Sequence, residues 1–142
     1  MTTDDVYELF RRGCALLADG HCHQAIVPLS RAGRLSPGST SIREALGRAF
    51  FRSQRYGEAA VEFSAVVERA PTNDYALFCL GRSLQMLGRH AEARQPLALA
   101  ACMQPGRSDY RAYRDRARAA AAREDRQIGA GGQVQARDRP GW

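Results

Sequence analysis

The chain has 142 residues, 44% of them hydrophobic, which suffices for one domain with a real core and excludes a wholly disordered chain. Its net charge is +6 and all 21 basic residues are arginine, a lysine-free usage that fits a GC-rich genome better than a binding code. The excess is uneven: residues 1–105 hold 12 Arg against 10 acids and residues 106–142 hold 9 against 5, which argues against a nucleic-acid surface spread over the whole body.

The opening MTTDDVYELF is acidic where a secretory signal would be basic, and the longest wholly apolar run, 97–103, is far too short to span a bilayer. Cys14, Cys22, Cys79 and Cys102 show no CxxC spacing. A reducing, cytoplasmic setting is the expectation. The first predicted helix covers 6–18, with Val6, Leu9, Phe10, Ala15, Leu16 and Leu17 as its apolar residues. Asp19-Gly20 breaks it, and a second helix covers about 23–35 until Pro37-Gly38. The pattern recurs as helices over 41–52 and 56–69, closed by Pro71, then over 74–87 and 90–103, closed by Pro105. Pro28 and Pro96 fall inside the second helix of the outer units, where a slight bend is expected and not a break.

A further helix over about 108–125 begins in phase with a fourth unit but carries Asp115 where a glycine would recur. Its mix of Tyr110, Tyr113, Ala117, Ala120 and Ala121 with many arginines is the pattern of a terminal cap. Residues 126–142, rich in Gly, Gln and Arg, are expected to be disordered.

Four columns share one step of 34 residues: Gly13, Gly47, Gly81; Ala25, Ala59, Ala93; Leu29, Phe63, Leu97; and Pro37, Pro71, Pro105. A period of about 34 residues marks stacked helical hairpins. With Leu46-Gly47, Phe50, Gln54-Arg55-Tyr56, Glu58-Ala59, Phe63 and Pro71 in the middle unit, the chain resembles the tetratricopeptide repeat family over about 100 residues. The third unit keeps the pattern, and the first is weaker, with Arg12 before Gly13 and Cys22 where an aromatic is usual.

The resemblance implies an all-α fold, a right-handed α–α superhelix of three hairpins (6–39, 40–73 and 74–107) plus the cap helix. It also implies that the small glycine and alanine columns let paired helices approach, while Leu29, Phe63 and Leu97 fill the space between hairpins. First helices would line a concave groove. By register that groove comprises Tyr7, Phe10, Cys14 and Leu17, then Ser41, Glu44, Arg48, Phe51 and Arg52, then Tyr75, Phe78, Cys79, Arg82 and Met86. Aromatic anchors beside arginines are what tight interfaces enrich, so the expected guest is a protein or peptide with bulky apolar side chains and negative charge. The opposing possibility is that these aromatics pack as ordinary core. Some family members grip a terminal carboxylate with lysines, asparagines and an arginine; the matching places here hold Phe10, Cys14, Ala45, Tyr75 and Cys79, which argues against that class of partner.

No chemistry-bearing motif competes. His21-Cys22-His23 offers adjacent ligands without a fourth, a poor zinc site. Cys79 and His90 lack a third orienting group, and the Gly129–Gly132 cluster lies outside any strand–helix phosphate loop. No cofactor and no enzymatic activity are expected. A secretion-type chaperone, a basic nucleic-acid accessory protein and a self-associating scaffold docking through Trp142 or the cap helix remain the other functional readings.

Overall fold

The computed structural model describes residues 4–137, with side chains described for 5–130. Seven helices follow in order: α1 (Asp4–Ala18), α2 (Cys22–Leu35), α3 (Thr40–Arg52), α4 (Tyr56–Arg69), α5 (Asp74–Met86), α6 (His90–Met103) and α7 (Ser108–Arg137). No strand occurs among the described residues. Each helix packs chiefly on its neighbours in sequence, giving the pairs α1–α2, α3–α4 and α5–α6, with α7 laid on α6 and touching α5.

The turns within the pairs are built alike. Backbone N–H groups of His21, Arg55 and Arg89 donate to the carbonyls of Leu16, Phe50 and Leu84, which is the Schellman closure of a helix end. The closure needs one left-handed residue, supplied by Gly20 at φ 84°, Gln54 at φ 63° and Gly88 at φ 76°. The turns between pairs lead into side-chain caps, where Ser39 Oγ accepts from Ile42 N–H and Asn73 Oδ1 from Ala76 N–H.

The glycine column has a sharper cause than close helix approach in general. A Cβ placed on Gly13 would lie 2.4 Å from Leu29 Cγ, on Gly81 2.4 Å from Leu97 Cγ, and on Gly47 2.9 Å from the tip of the Phe63 ring. Each glycine therefore receives the large side chain of its own second helix. Leu29, Phe63 and Leu97, expected between hairpins, instead plug the seam within each pair and are fully buried there. Ala25, Ala59 and Ala93 are also fully buried.

Pro28 and Pro96 are buried inside α2 and α6, which run through them uninterrupted. Helix α7 departs from expectation: it extends to Arg137, although residues 126–142 read as disordered from composition. No proline stands between Pro105 and Pro140, and Arg, Ala and Gln are helix formers that offset the glycines at 129, 131 and 132. The remaining tail, with Trp142, lies outside the described residues.

Candidate functional site

The first helices α3 and α5 stand side by side with α7 and enclose a cavity of about 460 Å³. Its lining from α3 is Arg48, Phe51 and Arg52, and from α5 it is Tyr75, Phe78, Cys79 and Arg82. Asp109 and Tyr113 come from α7, and Phe63 from α4. Seven of the fourteen residues read from sequence as groove positions thus meet around one space.

The other seven are distributed differently. Leu17 is 2% exposed and belongs to the core, so it lines no groove. Phe10 and Cys14 pack half-buried against the same core. Tyr7 is well exposed beside the Arg11 guanidinium, and Ser41 is exposed as well. Glu44 is half-buried and accepts from Asn73 Nδ2 at 3.2 Å. Met86 is exposed, with its sulfur 3.9 Å from an Arg82 nitrogen.

The aromatic lining is partly spoken for. Phe78 stacks on Tyr110 at 4.4 Å between ring centres and meets Tyr113 at 5.7 Å. Tyr110 is fully buried, and its hydroxyl donates to Asp74 Oδ2 at 3.0 Å. Phe78 therefore ties the cap to α5 while still facing the cavity. Tyr75 is the more open ring, while Phe51 and Tyr113 are half-buried like Phe78.

Electrostatics divide the lining further. Burial first, and then the neighbouring Cys79, pushes the Tyr75 hydroxyl up to about 12. Burial pushes the Cys79 thiol up to about 11, so at neutral pH it is a protonated, weakly polar wall, not a nucleophile. Burial likewise raises the Cys14 thiol, which the nearby Arg48 charge opposes. No cluster of three metal-ligating side chains occurs among the described residues.

The arginines carry the site's unspent capacity. Arg82 lies 3.9 Å over the Tyr113 ring and donates to Gln85 Oε1, while Gln85 Nε2 donates to the Tyr113 carbonyl. Arg48 Nε is buried with no hydrogen-bond partner. A buried donor left unmated costs roughly 1–3 kcal/mol. None of Arg48, Arg52 and Arg82 is among the described ion pairs, which instead involve Arg43, Arg55, Arg89, Arg107, Arg114, Arg118 and His90. Asp109, which lines the cavity, is already engaged by Arg107 at 2.8 Å, and Glu44 accepts from Asn73.

Asp109 and Tyr113 were missed as lining residues because the last helix read as a cap alone. The signal was present: one more step of 34 from Tyr75 and Cys79 lands on Asp109 and Tyr113.

A family model described as tetratricopeptide repeat matches residues 10–74 and again 44–109. Mouse superkiller complex protein 3 is 34% identical over 83 residues, 58% of this chain; the chain spans only 5% of that relative. Among solved structures, the first repeat domain of Spaghetti (RPAP3), bound to the HSP90 peptide SRMEEVD, superposes with a TM-score of 0.77 at 16% identity, covering 86% of this chain and 97% of that one. MamA (AMB-1) superposes with a TM-score of 0.77 at 22% identity, covering 99% of this chain and 78% of that one.

Proposed function

The chain belongs to the tetratricopeptide repeat family, and on that premise we propose that it is a protein–protein interaction module, an adaptor or assembly factor that holds a partner segment between α3, α5 and α7. The observation that carries the proposal is the conjunction in one cavity of Phe51, Tyr75, Phe78 and Tyr113 with three arginines that have no carboxylate partner among the described residues. Rings offer large contact area at low entropic cost, and a guanidinium fork selects carboxylates by paired hydrogen bonds. The guest is then a peptide bearing apolar or aromatic side chains and negative charge.

The peptide seated on the RPAP3 repeat domain supports such a use of the fold. The mode of grip is this chain's own, because Phe10, Cys14, Ala45, Tyr75 and Cys79 stand where terminal-carboxylate binders carry lysines, asparagines and an arginine. The module works without catalysis: its one cavity thiol is held protonated by burial. No helix among the described residues is long and apolar enough to cross a membrane, and we place its action in the cytoplasm.

The test is affinity capture from source-cell lysate, comparing the natural chain with an Arg48→Glu/Arg82→Glu variant of unchanged melting temperature. Val61, exposed on α4, supplies a control as Val61→Glu. The expected outcome is partners lost by the charge-reversed protein and kept by the control; full retention by the double variant would refute the reading.

A further inference from the structure

Two grooves between successive helix pairs are built in the same register. One, of about 380 Å³, lies between α2 and α3 and is walled by Glu62 of α4. The other, of about 590 Å³, lies between α6 and α7. Every residue that α2, α3 and their connection give to the first has a counterpart lining the second, two 34-residue steps on. Pro37 is matched by Pro105, Arg43 by Arg111, Leu46 by Arg114 and Phe50 by Arg118. The paired arginines hold the same anchor: Arg43 Nε donates to the Pro37 carbonyl at 2.9 Å, and Arg111 Nη1 donates to the Pro105 carbonyl. What differs is the next helix. Arg43 also reaches Glu62 on α4 at 3.2 Å, and Leu46 and Phe50 are buried in one cluster with Ala59 and Phe63 of α4. The counterpart of Glu62 is Ala130, exposed on the uninterrupted run of α7 itself. No second helix returns to this groove among the described residues, and Arg111 and Arg118 are exposed.

The repeats themselves show what a second helix carries opposite this position. Where the first helix has leucine, at Leu9 and Leu77, the second has proline, at Pro28 and Pro96; where it has arginine, at Arg43, the second has glutamate. At Arg111 the residue is again arginine. Arg111, Arg114 and Arg118 follow at i, i+3 and i+7, one stripe of α7. The described ion pairs give this stripe one acid, Asp115, shared by Arg114 at 3.0 Å and Arg118 at 4.0 Å. Three cations against one carboxylate leave an excess of positive charge beside the apolar Ala98 and Leu99 of α6. The chain beyond Arg126 is no source of compensation, since it holds one acid, Asp138, against Arg137 and Arg139.

We propose that the α6–α7 groove is a second docking site, separate from the cavity between α3, α5 and α7, and takes an acidic amphipathic helix of a partner protein in the place that α4 holds against α3. The guest sets a carboxylate against Arg111 as Glu62 is set against Arg43, further carboxylates against Arg114 and Arg118, and apolar side chains against Ala98 and Leu99. Asp115 stands in the column of Gly13, Gly47 and Gly81, so the guest lacks the tight glycine seam that joins the internal pairs. Charge holds it instead, which makes the contact reversible and sensitive to salt.

The experiment is fluorescence anisotropy of the full chain with a labelled, end-blocked, lactam-stapled helix of alanine, leucine and glutamate, its glutamates at i, i+4 and i+7 beside a leucine stripe. One comparison peptide has glutamine for glutamate; another has the same residues with the glutamates dispersed around the helix. The striped peptide is expected to bind saturably, the dispersed one at least fivefold more weakly, and the glutamine one not at all. Arg111→Gln/Arg118→Gln should weaken the striped peptide about tenfold, the weight of two surface ion pairs, with the melting temperature unchanged, and Leu99→Glu should weaken it similarly. Arg48→Glu/Arg82→Glu, in the other cavity, should leave it unaffected. No saturable binding of the striped peptide overturns the proposal, as does equal affinity for the dispersed one. Loss in Arg48→Glu/Arg82→Glu alone overturns it too, by assigning the peptide to the cavity of the preceding section, whose reading then stands. A dimer of the natural chain that Arg111→Gln/Arg118→Gln dissociates in sedimentation overturns it in favour of a second copy. A single-stranded oligothymidylate that displaces the striped peptide at lower concentration overturns it by assigning the arginines to phosphates.

Discussion

Single positions set the seams and turns of this molecule. Gly81 faces Leu97 so closely that even a methyl group would meet the leucine branch point at 2.4 Å. Gly81→Ala should therefore cost about 1–3 kcal/mol through overpacking, and Gly47→Leu at least as much, read as a lower melting temperature. An unchanged transition in Gly81→Ala would contradict the seam. Gln54 supplies the opposite case, since its φ of 63° occupies the left-handed region that Gly20 and Gly88 take in the other pairs. Gln54→Gly should relieve about 1 kcal/mol of backbone strain and raise the melting temperature by roughly 2–4 °C. The glycine, alanine and large-apolar columns were visible in the sequence because small and bulky residues must alternate at a helix seam. The Gly20–Gln54–Gly88 column was not visible, since its requirement is a dihedral angle and one member is not glycine.

Among the elements, α7 repays the closest reading. Its residues Arg111, Arg114, Asp115 and Arg118 occupy the register of Leu77, Leu80, Gly81 and Leu84 on α5, the face that receives a second helix. On α7 that register is charged where on α5 it is apolar. The inner side is tied by Tyr110, fully buried, stacked on Phe78 and bonded to Asp74. Burial first, and then the Asp74 bond, raises the Tyr110 hydroxyl from 10.0 to about 12. The protonated phenol is the form that the fold favours. Its contribution is complete below the ordinary value of 10 and disappears as pH climbs through about 12. Circular dichroism should show the natural chain losing stability over that window more steeply than Tyr110→Phe, and parallel curves would deny the tie. Tyr75 titrates in the same range in both proteins, so the comparison isolates Tyr110. A mixed tyrosine–alanine–arginine face made this helix legible in the sequence. The expected end at 125 fell short because the glycine-rich composition beyond it points to disorder, whereas no proline stands between Pro105 and Pro140. Residues 125–130 are exposed, so deleting 127–142 should leave the melting temperature of the body unchanged.

For the whole molecule, the repeat logic foresaw which faces exist but not how they are filled. Register placed Arg48, Phe51, Arg52, Tyr75, Phe78, Cys79 and Arg82 on one side, and those seven line one cavity. The same register put Leu17 and Phe10 on that side, yet both contact the core, where they pack with residues of α2 and α3. Periodicity fixes direction around a helix; it does not fix how deep a side chain sits. Unpaired arginines at the cavity were equally illegible, since pairing depends on which acids the turns bring close, as Asn73 does with Glu44 and Arg107 with Asp109. What emerges is a stack whose hydrophobic seams are satisfied and whose cavity holds three arginines outside the described ion pairs beside rings that are in part already packed. The most direct measurement is a residue-resolved amide titration of isotopically labelled protein with an acidic, aromatic-containing peptide. The account predicts saturable shifts confined to α3, α5 and the α5-facing part of α7. Shifts confined to α2, α4 and α6, or no saturable shifts at all, would contradict it.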